Sequence, residues 1–227
     1  MKGKVYLFLL ICLLSVVTLK AQRHYTSDVS VGAKGGINLS HMFFNPSVKQ
    51  GWPVNPTFGV RIRYVEEKNF GLIGEVNWVR RGWSENFEGL PFRYSRMVDF
   101  INIPLLAHIY FGTRMKFFAN LGPEVSFKIG DSYSANFDPF DTKNIPDFPN
   151  TNRRNTQMTE RISQKIDFGI SAGLGFEYYL NPRNAVDFEA RYYFGLSNLV
   201  PSGRQDTFRS SNMMTIAFTV GYWFKLK

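Results

Sequence analysis

The sequence predicts an all-β protein, an eight-stranded antiparallel up-and-down transmembrane β-barrel with short periplasmic turns and long extracellular loops. Three observations predict it. Apolar and polar residues alternate along stretches longer than soluble strands need, the connections between these stretches are short and long in turn, and the chain opens with an apolar run of the export type.

The longest alternation fixes the period. From Ile166 to Leu180 every even-numbered residue is apolar, while the odd file holds Asp167, Gly169, Ser171, Gly173, Gly175, Glu177 and Tyr179. A period of two belongs to a strand whose side chains point to opposite faces in turn. Soluble strands average about 5 or 6 residues, whereas a tilted bilayer crossing takes about 9 to 11.

The chain begins with Lys2 and Lys4, an apolar run from Val5 to Val17, and Ala21. That is a secretory signal pattern, and the run falls short of the roughly 20 residues a spanning helix needs. Residues 1–21 are therefore expected to be a cleaved signal peptide, 22–27 an N-terminal tail and 28–227 the barrel. Cys12 follows Ile11 rather than the small residue of a lipoprotein signal, so no lipid anchor is expected. Without Lys2, Lys4 and Lys20 the 27 basic residues fall to 24 against 18 acidic ones, and the charge drops from +9 to +6. The processed chain has no cysteine, so burial or sheet closure must replace the disulfides of secreted domains. Its basic residues are scattered singly, which speaks against nucleic acid as a partner.

Eight outward apolar files follow in order. Strand 1 carries Val29, Val31, Ala33, Gly35, Ile37 and Leu39; strand 2 Phe58, Val60, Ile62 and Tyr64; strand 3 Leu72, Gly74, Val76 and Trp78. Strand 4 carries Ile101, Ile103, Leu105, Ala107, Ile109 and Phe111, and strand 5 Phe117, Ala119, Leu121, Pro123, Val125 and Phe127. Strand 6 is the 166–180 stretch, strand 7 carries Val186, Phe188, Ala190, Tyr192 and Phe194, and strand 8 Met214, Ile216, Phe218, Val220, Tyr222 and Phe224. Tight turns are expected at 66–69, 112–114 and 181–184, and longer polar loops at 41–56, 84–96, 130–164 and 197–211. An even strand number with short turns at one end and long loops at the other is the layout of outer-membrane barrels. A soluble β-sandwich also has one apolar face per strand, but the polar file here is rich in glycine, which suits the crowded inside of a narrow barrel. Aromatic residues such as Tyr64, Trp78, Phe111, Phe117, Tyr178, Tyr192 and Phe224 stand near strand ends, where girdles meet the headgroups.

"VGAKGGINLS" at 31–40, "INIPLLAHIYF" at 101–111, "NLGPEVSF" at 120–127, "DFGISAGLGFEYYL" at 167–180, "ARYYFGLSNL" at 190–199 and the closing "GYWF" resemble the PorT-like outer-membrane β-barrel family of the Bacteroidota. The resemblance covers nearly the whole processed chain. It implies residence in the outer membrane of a Gram-negative bacterium, contact with outer-membrane lipid, and C-terminal aromatics read by the barrel-assembly machinery during insertion. The family takes its name from a protein linked to type IX secretion, which makes an envelope or secretion protein a candidate partner.

Inside so narrow a ring there is just room for side chains. The inward file supplies Lys34, Arg61, Arg63, Lys128, Lys165 and Arg191 against Glu75, Glu124, Asp167, Glu177, Asp187 and Glu189, six charges of each sign. They are expected to form a salt-bridged lumen plug; the rival reading is a narrow path for small solutes. Of the histidines, His24 falls in the tail, His41 at the start of a loop and His108 in a strand, where a core hydrogen bond is expected of it. A lipid-modifying enzyme is the third reading, but no nucleophile and base stand together, and the chain reads as non-enzymatic. Asp187 and Glu189 share a face that could hold a metal, yet Arg191 follows as a sufficient partner; no metal or cofactor is expected. The 130–164 loop exceeds the roughly 15 residues beyond which loops are usually functional or disordered. Its Phe137, Phe140, Phe148, Arg153 and Arg154 are of the types that anchor binding surfaces.

Overall fold

The computed structural model describes residues 27–150, 154–202 and 206–226. The expected signal peptide, His24 with nearly all of the tail, and Arg153 lie outside them. Among the described residues eight long strands form one ring: β1 (Asp28–Asn45), β2 (Val54–Glu67), β3 (Phe70–Glu85), β4 (Tyr94–Gly112), β5 (Met115–Ala135), β6 (Ile166–Asn181), β7 (Asn184–Gly195) and β8 (Ser210–Lys225). Each pairs antiparallel with the next, and β8 returns to β1 from Ser30↔Lys225 to Asn45↔Ser210. Closure has a physical cause: an unpaired peptide group in hydrocarbon costs several kcal/mol, so a spanning sheet keeps no edge. A two-residue strand, Gln50–Gly51, adds to β3 at Glu85 and Ser84 within the first loop.

The outward files are those the alternation predicts. On β6, Ile166, Phe168, Ile170 and Leu174 are 50, 53, 51 and 69 % exposed, while Asp167 and Ser171 between them are 0 % exposed. The turns close one end of the ring; Gly112 takes φ +115° there, and a Cβ on it would run into the Met115 carbonyl. Exposed Tyr64, Phe70, Phe111, Phe117, Tyr178, Tyr222 and Phe224 gird this end. Near the other end Phe58 stacks on Trp78 at 4.9 Å, and Arg80 lies 5.6 Å from the Trp78 ring.

At the loop end the strands overrun the predicted boundaries. β1 continues to Asn45, β3 to Glu85 and β5 to Ala135, and β4 begins as early as Tyr94. The reason lies in the solvent. Beyond the lipid the outside of the wall is wet, so the ordinary rule returns and apolar residues turn inward: Met42, Phe44, Trp83, Tyr94, Val98 and Phe100 are all buried. The rim is also uneven. β4 and β5 pair up to Tyr94↔Ala135, but the β5–β6 ladder stops at Phe127↔Ile166 and the β6–β7 ladder at Gly169↔Gly195. A notch is left above β6 and β7.

Candidate functional site

The lumen is filled in layers. At the turn end Ile73, Leu106, Ala185 and Trp223 form an apolar floor, with the guanidinium groups of Arg61 and Arg63 stacked 4.0 and 4.4 Å from the Trp223 ring. Above the floor runs a network of buried ion pairs. Arg61 Nη1 donates to Asp187 Oδ2 at 3.0 Å and Arg63 Nη2 to Glu177 Oε1 at 3.2 Å. Glu75 accepts from Lys34 Nζ and Arg191 Nη1, each at 2.7 Å, and Arg191 Nη2 also donates to Glu189 Oε2 at 2.8 Å. Arg81 Nη2 donates to Glu124 Oε1 at 2.6 Å. Each of these carboxylates takes a cation from a strand that is not its neighbour in the ring, Glu189 through Lys34 at 3.8 Å, so the pairs brace the cross-section. The glycines of the inward file make the space: a Cβ on Gly221 would lie 2.6 Å from Asp187 Oδ1 and 2.7 Å from Arg61 Cζ.

Hydrogen bonds complete the network. Asn120 Nδ2 donates to Glu189 Oε1 at 2.8 Å, which turns its Oδ1 toward His108 Nδ1, 2.7 Å away. This orientation assigns the His108 proton to Nδ1, and the residue has the core hydrogen bond expected of it. Asn102 and Ser171 donate to Glu124, and the Tyr193 hydroxyl donates to Asp167 Oδ2 at 2.8 Å. A cavity of about 30 Å³ between Lys34, Asn77, Arg81, Glu124 and Arg191 has room for roughly one water.

Over the network sits an apolar cap of Met42, Phe44, Trp83, Val98, Phe100, Ile162, Tyr193, Leu199, Val200, Phe208 and Met213. Tyr193 is the seam: its ring belongs to the cap, Arg81 lies 4.1 Å from it, and its hydroxyl reaches down to Asp167. The 136–165 loop is tied into the mouth. Buried Gln157 donates to both Glu85 oxygens at 3.1 and 3.2 Å, the Tyr94 hydroxyl donates to the Met158 carbonyl at 2.6 Å, and Arg96 joins Asp131 at 2.7 Å and the Glu160 carbonyl. Burial pushes the Tyr94 phenol above its ordinary pKa and keeps it a donor.

Several sequence expectations are corrected. Lys165 is exposed ahead of β6 and takes no part in the network. Lys128 pairs with no carboxylate among the described residues; its ammonium donates to the Ile162 carbonyl at 2.5 Å, under the cap. Arg81, which the inward set did not include, pairs with Glu124 instead. Asp187 is held by Arg61 rather than by Arg191, which takes Glu189. In the loop, Phe137 and Phe148 pack inward with Phe87 and Phe92, Phe148 lying 4.8 Å from Phe92 between ring centroids. Phe140 alone of the three is outward, 70 % exposed, and Arg154 lies 5.8 Å over the Phe208 ring.

A closed antiparallel ring with a lipid-facing apolar exterior and ionic pairs inside defines an integral outer-membrane β-barrel. The chain belongs to the outer membrane protein beta-barrel domain family, whose sequence profile matches residues 20–200. Among solved structures it is similar to the Escherichia coli Outer Membrane Protein W, at 15% identity and a TM-score of 0.45, over 88% of this chain and 100% of that one. The N-terminal β-barrel domain of Pseudomonas aeruginosa OprF matches at 13% identity and a TM-score of 0.44, over 89% and 100%. Ail, the attachment invasion locus protein of Yersinia pestis, matches at 11% identity and a TM-score of 0.42, over 87% and 99%. No curated protein matches the chain in sequence.

Proposed function

We propose that the protein is a non-conducting, non-enzymatic outer-membrane barrel, exported with a cleaved signal peptide, whose 136–165 loop contacts a partner outside the cell. One observation carries the reading: the lumen is closed twice in series, by ion pairs around a cavity of about 30 Å³ and by an apolar cap that an ion would have to dehydrate to cross. With the interior filled, the loop surface is the part of the molecule open to chemistry, and Phe140 is its most exposed aromatic side chain. The resemblance to the PorT-like family supports an envelope or secretion protein as the partner class.

Planar bilayer recording tests the closed lumen: the purified protein is expected to give no unitary current above leak. Steady unitary currents altered by Arg61→Ala would overturn the reading in favour of a small-solute channel. Phe140→Ser is expected to leave folding intact and weaken partner binding, because its side chain stands outside the aromatic cluster that holds the loop together.

A further inference from the structure

The notch above β6 and β7 opens sideways, toward the membrane, as a cleft of about 410 Å³. It lies where the outward face changes character. Its lower half is Ile166 and Phe168, the first two residues of the lipid-facing file of β6, 50 and 53 % exposed. The upper half carries Ser163, Gln164 and Ser202. Val200 lines the cleft and is also part of the cap, so the back wall is packed rather than open. Backbone bonds seal it: Ser163 N donates to Leu199 O at 3.1 Å and Leu196 N to Phe168 O at 2.8 Å.

Among the described residues the Ser163 hydroxyl and the Gln164 carboxamide have no hydrogen-bond partner, and Ser202 Oγ accepts from Asn198 Nδ2 at 3.0 Å with its own proton still to give. Arg161 and Lys165 flank Ser163 and Gln164 in the chain, are exposed, and pair with no carboxylate among the described residues. We infer that this notch is a docking site for a glycolipid of the outer leaflet. An acyl chain lies along Ile166 and Phe168, sugar hydroxyls meet the serines and Gln164, and a headgroup phosphate meets Arg161 and Lys165. A water-soluble sugar would leave the apolar half uncovered, and a phospholipid lacks the ring hydroxyls that the neutral polar half matches. The site is separate from the Phe140 surface and does not depend on the partner reading.

Native mass spectrometry of the detergent-extracted protein tests it, with diphosphorylated lipid A, deacylated lipid A and phosphatidylglycerol as added probes. Lipid A is expected to be retained one to one, about tenfold over phosphatidylglycerol and over its deacylated form, a margin of some 1.4 kcal/mol. Gln164→Trp, which fills the cleft without touching the cap, is expected to abolish retention. Arg161→Ala with Lys165→Ala should reduce it several-fold, with heat-dependent gel mobility showing that each variant is folded. Equal retention of lipid A and phosphatidylglycerol, equal retention of the deacylated sugar, or undiminished retention in folded Gln164→Trp would overturn the assignment.

Discussion

The two halves of the lumen are held by opposite means. Beside the lipid the interior is ionic, with Lys34, Arg61, Arg63, Arg81 and Arg191 each on a carboxylate; beyond the lipid it is apolar, from Met42 to Phe208. The change follows the outer solvent. Where hydrocarbon takes the apolar side chains, polar ones must satisfy one another inside; where water returns, the hydrophobic effect again drives burial. One continuous sheet thus switches its rule of burial along its own axis, at Tyr193.

The largest expected effect lies in the ionic half. Glu75→Leu leaves the two buried cations Lys34 and Arg191 to share Glu189 and should cost about 3 to 5 kcal/mol, read by urea unfolding in lipid vesicles with tryptophan fluorescence. Replacing both Arg63 and Glu177, as Met and Leu, should cost less than replacing either alone; a simple sum would show that pairing is not what matters there. In the apolar half Leu199→Ala should cost about 2 to 3 kcal/mol and loosen the loops to protease, yet admit no current, because the network beneath still closes the ring. A conducting Leu199→Ala protein would assign the seal to the cap alone. Tyr94→Phe removes one bond to the loop and should cost about 1 kcal/mol, seen as faster cleavage within 136–165. Because the folded phenol is raised, this bond is complete below the ordinary tyrosine pKa of about 10 and is lost as pH rises through the raised value. Smallest is Arg80→Ala: its pair with Asp99 at 2.8 Å is solvent-exposed and should contribute no more than about 1 kcal/mol.

Much of this was legible in the chain. A period of two does not drift, so once Ile166 to Leu180 set the phase, every outward file could be read, and with it the strand number. The strand ends were not legible, because the apolar file changes sides beyond the lipid and Met42, Phe44 and Tyr94 then read as loop. Arg81 was missed for the same reason; carrying the phase of Glu75 and Asn77 four residues past Asn77 would have found it. Lys165 was counted inside by extending that phase one residue beyond the start of β6. Composition marked Phe137 and Phe148 as sticky, but their partners Phe87 and Phe92 sit on another loop, and only the fold brings the four together.

The sources of the buried charges bear on assembly. Of the buried charges, strands β1 to β3 contribute Lys34, Arg61, Arg63 and Arg81 against Glu75 and, at the mouth, Glu85, while β5 to β7 contribute Glu124, Asp167, Glu177, Asp187 and Glu189 against Arg191. A half-ring cut between β4 and β5 would be a strongly polarised object, repelling its own twin and drawing in its complement. Neutrality arrives only when both ends of the polypeptide meet, so a nascent sheet has no comfortable stopping point between start and closure, and two incomplete copies have little reason to combine.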